Sequence, residues 1–131
     1  MAGMAEPHPF RRAAEQKDLD LLRETLREDV VLHSPVLFRG FEGRETVIAV
    51  ITHVAATLDG LTYVNELSED DAVCLRFKAT VAGTDRQIEG IDFLELDEDG
   101  RVAELTVFMR PLSALTAFNE QMKERLEAAT G

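Results

Sequence analysis

Arg86-Gln-Ile-Glu-Gly-Ile-Asp-Phe-Leu-Glu-Leu96 is the stretch on which the reading of this chain turns. Its strict alternation marks a β-strand, and the alternation puts Asp92 on the same face as Ile88, Gly90, Leu94 and Leu96. A carboxylate on an otherwise apolar face is costly to ionise. Either a donor stands opposite it, or its pKa climbs until it holds a proton, and both arrangements are typical of ligand sites. The plainer alternative is an edge strand whose face is half covered, with Asp92 reaching water or a backbone N–H.

Outward from this strand the period of two continues. Leu61 to Ser68, Ala72 to Val81 and Val102 to Met109 read as three further strands, separated by Glu69-Asp70-Asp71, Ala82-Gly-Thr-Asp85 and Asp97-Glu-Asp-Gly-Arg101 as hairpin connections. Val73, Leu75, Phe77, Ala79 and Val81, with Leu105, Val107 and Met109, define an apolar concave face; Arg76, Lys78, Thr80, Glu104, Thr106 and Phe108 define a mixed outer face suited to a dimer contact. Before the meander the period is helical. Phe10, Ala13 and Ala14 mark one short helix and Leu19, Leu22 and Leu26 a second, capped by Asp18, so two helices meet at a kink. Asp29-Val-Val-Leu-His-Ser-Pro35 follows as a short strand and Arg39-Gly-Phe-Glu-Gly43 as a turn. Arg44 to Leu58 is a helix with Val47, Val50, Ile51, Val54 and Leu58 on one stripe, ended by Gly60. Pro111 opens a last helix whose stripe is Leu112, Leu115, Phe118, Met122 and Leu126. This order predicts one α+β domain over residues 1–131, with a flexible 1–8 stretch and helices covering one face of a single sheet.

Composition narrows the partners. Fourteen basic against twenty-five acidic side chains give a net charge of −11, which opposes binding to nucleic acid and to anionic membranes. The single Cys74 forbids an internal disulfide, and with three scattered histidines it offers no metal-ligand spacing, so neither a metal nor another cofactor is expected. Set among bulky neighbours on a strand, Cys74 reads as a small filler rather than a nucleophile. Met1 to Phe10 lacks the apolar core of a signal peptide and no apolar run approaches bilayer length, so a cytoplasmic location is expected.

Lys17-Asp-Leu-Asp20, Asp29 to Pro35, Phe41-Glu-Gly43 and Gly90 to Val102 together resemble the nuclear transport factor 2-like superfamily, over roughly Phe10 to Met109. That superfamily holds ketosteroid isomerase, the SnoaL-like polyketide cyclases and limonene epoxide hydrolase. The resemblance implies a cone-shaped α+β fold: a strongly curved, mostly antiparallel sheet covered by the N-terminal helices. Val107-Phe-Met-Arg-Pro-Leu112 and the additional C-terminal helix look like uncharacterised bacterial members. Ile91-Asp92-Phe93 is similar to the isomerase motif whose protonated Asp donates a hydrogen bond to an enolate oxygen. The isomerase pattern also calls for a Tyr on the first helix and a general-base Asp before the Pro of the first strand, where this chain has Phe10 and Ser34. Phe donates nothing and Ser is a poor base at neutral pH, so the standard isomerase mechanism is not implied. Leu75-Arg-Phe-Lys78 lacks the Asp of the epoxide hydrolases, and Glu104 has the wrong parity for the acid of the cyclases.

His33, Ser34, Tyr63, Asn65 and Arg110 remain as neighbours for Asp92. Asp92, His33 and Tyr63 are the candidate catalytic residues, although alternation places His33 opposite Leu32, Ser34 and Val36, and a surface histidine is its alternative. Tyr63 shares parity with Leu61 and Leu67, and lines either the pocket or its rim. Arg110 reads most simply as a strand-end partner of a carboxylate, and Ser34 as a local backbone acceptor beside Pro35. Phe10, Ser34, Leu75, Phe77, Leu94, Leu105, Val107 and Met109 are the candidate pocket wall. Two functions of different class fit this pattern. One is a small-molecule-binding protein or an enzyme of isomerase, cyclase or hydrolase type, holding a small apolar ligand near Asp92. The other is a non-catalytic dimeric interaction module whose cone is plugged by Phe10, Phe77 and Met109. A homodimer is expected in both.

Overall fold

The computed structural model describes residues 6–130. Helices α1 (Pro9–Gln16) and α2 (Leu19–Thr25) lead into β1 (Leu26–His33), the two-residue β2 (Phe41–Glu42) and helix α3 (Arg44–Thr57). Four long strands follow, β3 (Leu58–Ser68), β4 (Ala72–Val81), β5 (Gln87–Leu96) and β6 (Val102–Arg110), and the chain closes with α4 (Leu112–Thr130). The strands form one mixed, curved, unclosed sheet in the order β2-β1-β6-β5-β4-β3. Only β1 and β6 run parallel; every other pairing is antiparallel. The expected α+β cone with its extra C-terminal helix is the fold observed.

Local chemistry explains the N-terminal turns. His8 accepts from the Phe10 N–H through Nδ1 at 3.1 Å, and Pro9 fills the first helical turn, where its missing N–H costs nothing. Lys17 ends α1 in the left-handed region at φ 54, and Asp18 caps α2 by accepting from the Leu21 N–H at 3.1 Å. The expected kink is therefore a capped break. Met1 to Ala5 of the expected flexible stretch lie outside the described residues. Within the described part, His8 is fastened: its N–H donates to Glu66 at 2.9 Å and its Nε2 bonds the Gly100 carbonyl at 2.9 Å.

Several boundaries differ from the sequence reading. β1 starts at Leu26, a residue read as helical, and stops at His33, short of Pro35. Leu26 and Val30 are wholly buried there, so core packing overrides the helical spacing of the leucines. Phe41 and Glu42 pair with Leu32 and Val31 instead of forming a bare turn. Gly60 does not end α3. The strand begins at Leu58, and Gly60, at φ 65, absorbs an extra residue in the β3–β4 register between Asp59 and Thr62. A second irregularity between Tyr63 and Asn65 reverses the parity of the strand. Leu67 consequently lies on the outer face at 70% exposure and does not share a face with Tyr63. On α4, Ala114 takes the buried position expected of Leu112, which is exposed.

The concave face carries the core as expected. Leu75, Phe77 and Val81 of β4, Leu94 of β5 and Val102 and Leu105 of β6 are buried against Val47, Ile48 and Val50 of α3 and Phe118 of α4. At Gly90 of β5 an added Cβ would overlap the Phe108 carbonyl oxygen and meet Phe77 Cζ at 2.8 Å. The missing side chain is what lets the Phe77 ring lie across the sheet.

Candidate functional site

β5 lies inside the sheet, with β4 on one side and β6 on the other, so the edge-strand account of Asp92 does not hold. In register, Asp92 sits between Leu75 and Val107 on the concave face and is 8% exposed. Its partner comes from two strands away. The Tyr63 hydroxyl donates to Asp92 Oδ2 at 2.6 Å, a charge-assisted length, and Tyr63 itself is 3% exposed. The Tyr63 ring meets Phe77 edge to face, with centroids 6.1 Å apart and planes at 81°.

Burial and the hydrogen bond act in opposite directions on Asp92. Loss of hydration raises its pKa, the Tyr63 donor pulls it back, and the balance stands at about 6. The Tyr63 phenol is pushed well above its usual value, first by burial and then by the neighbouring carboxylate. Tyr63 therefore stays a donor, and Asp92 changes its charge near pH 6.

β3 is a sheet edge, so its backbone needs partners outside the sheet. Helix α1 supplies them at Tyr63. Arg11 donates through Nη2 to the Tyr63 carbonyl at 3.0 Å, and Glu15 Oε2 accepts from the Tyr63 N–H at 2.9 Å. Arg11 also pairs with Glu66 at 3.4 Å and Glu15 at 3.8 Å. The hydroxyl above Asp92 is thus fixed from behind by an ion-paired helix.

Asp92 and Tyr63 open on a cavity of about 120 Å³, walled by α1, β1, α3, the concave sheet and α4. Among the described residues its polar side chains are Ser34, Tyr63, Asp92 and Asn119, and no Lys, Arg or His lines it. Phe10, Ser34, Phe77, Leu105, Val107 and Met109 line it as the sequence suggested. Leu75 and Leu94 do not; both are wholly buried in the core. His33 does not reach it either. Pairing with Thr106 places His33 on the outer face, where Nε2 lies 3.5 Å from Glu104. Asn65 is also outside, accepting from Arg76 at 3.2 Å, and Arg110 pairs with Glu89 at 3.4 Å as a strand-end residue. Ser34 accepts from the Leu37 N–H at 3.0 Å in a tight turn, the local role foreseen for it. Asn119, Met122 and Leu126 of α4 were missed, although Met122 and Leu126 belong to the recognised apolar stripe. Among the described residues no cluster of three His, Cys, Asp or Glu side chains is placed to hold a metal ion. No described helix is long and apolar enough to cross a membrane.

A family model for the SnoaL-like domain matches residues 9–105. The chain belongs to the SnoaL-like family. Solved structures place this SnoaL-like chain within the nuclear transport factor 2-like superfamily. An uncharacterised bacterial protein with a cystatin-like fold from Silicibacter pomeroyi is 26% identical, covers 91% of this chain over 83% of its own, and superposes with a TM-score of 0.85. A steroid delta-isomerase from Pseudomonas aeruginosa is 29% identical, with 92% and 88% covered and a TM-score of 0.84. A nuclear transport factor 2-like protein of unknown function from Cytophaga hutchinsonii shares the fold at 18% identity, with 82% and 88% covered and a TM-score of 0.66. A comparison with curated proteins finds no match. Solved structures similar to this chain include a steroid delta-isomerase and a putative SnoaL-like polyketide cyclase.

Proposed function

We propose that this SnoaL-like protein binds a small, largely apolar molecule in the cavity, with Asp92 and Tyr63 gripping its carbonyl or hydroxyl. The observation that carries the reading is the 2.6 Å hydrogen bond between two buried polar groups at the wall of an apolar space. Such a pair is costly in a core and useful in a pocket, where it orients one end of a ligand. Above about pH 6 Asp92 is ionised and accepts from a ligand hydroxyl; below it Asp92 is protonated and donates to a carbonyl. A carboxyl that titrates near neutrality is also suited to acid–base catalysis. With Phe10 and Ser34 in place of the isomerase Tyr and Asp, any such chemistry runs through the single Asp92–Tyr63 centre. The reading includes a homodimer joined through the outer face of the sheet.

The interaction-module alternative required Phe10, Phe77 and Met109 to plug the cone. All three border the cavity instead, which supports the ligand reading. Titration with cyclohexanol, cyclohexanone and cyclohexane, followed by amide chemical shifts, separates the two. We expect saturable shifts at Tyr63, Asp92 and Val107, tighter for the alcohol at pH 7.5 and for the ketone at pH 5. Equal affinity for the hydrocarbon, or no saturable shift with any probe, would overturn the proposal and leave the interaction module.

A further inference from the structure

The cavity extends past the residues that the family model matches. The family match ends at residue 105, yet Phe118, Asn119, Met122 and Leu126 of α4 line the cavity. Three polar side chains elsewhere on this helix are committed. Thr116 donates to the Leu112 carbonyl at 2.9 Å, Gln121 to the Ala82 carbonyl at 2.6 Å and Arg125 to the Ala56 carbonyl at 3.0 Å, and the last two tie α4 to the body. Asn119 differs. It sits one turn beyond Leu115 and just before Met122, half-buried at the cavity wall, and its carboxamide makes no hydrogen bond with any described residue.

A primary amide brings two donors and an acceptor, and an apolar wall gives them nothing to bond. We propose that Asn119 is a second ligand-binding group, so that the bound molecule carries two polar functions. One meets Asp92 and Tyr63; the other, a hydroxyl or carbonyl, meets the Asn119 carboxamide across an apolar framework. Among the described residues the cavity holds no cationic side chain, and the chain carries a net charge of −11, so neither function is anionic. α4 would then select the ligand's far end while the sheet holds its near end. This inference rests on the reading of the cavity as a ligand site.

The test compares cyclohexanol with cyclohexane-1,3-diol and cyclohexane-1,4-diol at pH 7.5, in the wild type, Asn119→Leu and Asn119→Ala, with folding checked by circular dichroism. In the wild type at least one diol should bind as tightly as cyclohexanol or tighter. In both variants that diol should lose roughly tenfold or more relative to cyclohexanol measured in the same variant, the range for a polar group left unpaired in an apolar site. If cyclohexanol binds and the diols gain nothing from Asn119, this inference fails and the cavity reading stands. If none of the three alcohols binds the wild type, both fail together.

Discussion

Asp92 carries a stability cost that depends on pH in a defined direction. Its carboxyl titrates at about 6 in the folded chain, above the usual carboxylate value of about 3.9 expected when unfolded. Between these values the native state holds a proton that the unfolded state has released. Stability from this group is therefore complete below about pH 4, falls as pH rises through 6, and levels off above. Asp92→Asn keeps an acceptor for the Tyr63 hydroxyl without the charge. We expect it to stabilise the fold by about 1–2 kcal/mol at pH 8, somewhat less than the linkage arithmetic implies because a charge-assisted bond is lost, and to be neutral near pH 4. Urea unfolding at both pH values checks this; an equal gain at both would remove burial of charge as the cause. Asp92 was legible in the sequence because one acid broke an apolar parity. Tyr63 was legible only in part, since the irregularity after it breaks the alternation on which its placement depended. Asn119 was not legible: an amide on a helix reads as a solvent face unless the cavity opposite is known.

The element that governs the site is not the strand bearing Asp92 but the helix behind Tyr63. Arg11 and Glu15 of α1 occupy the backbone of an edge strand where no further strand pairs, and so hold the Tyr63 hydroxyl in place. Glu15→Ala should speed hydrogen exchange of the Tyr63 amide by roughly five- to tenfold, the equivalent of about 1 kcal/mol for one hydrogen bond. Exchange within β4 and β5 should be unchanged. Uniform acceleration across the sheet would mean that Glu15 supports global stability and not this contact. The helices and the meander were readable from periods of 3.6 and two, and the motif resemblance supplied their assembly. The start of β1 and the end of α3 were not, because Leu26 and Leu58 suit either element and only burial in the finished core decides between them.

At the scale of the whole molecule, the outer face of the sheet is where further assembly is expected. Phe108 is 57% exposed and Leu67 70%, with Ile91 and Phe93 half-buried nearby on β5. Apolar side chains on a broad sheet face mark an interface more often than bare surface. Sedimentation at micromolar concentration should give a dimer for the wild type and a monomer for Phe108→Glu; a monomeric wild type would sink this expectation. The buried pair has one more consequence for the molecule as a whole. The chain has a single tyrosine and no tryptophan, so its ultraviolet emission reports on one phenol, and that phenol is bonded to one carboxylate. An ionised carboxylate draws the proton of an excited phenol and darkens it, whereas a protonated one does not. The protein thus contains its own dye: its brightness should rise as acid fills Asp92 near pH 6, and should change again when a guest takes the phenol's hydrogen bond.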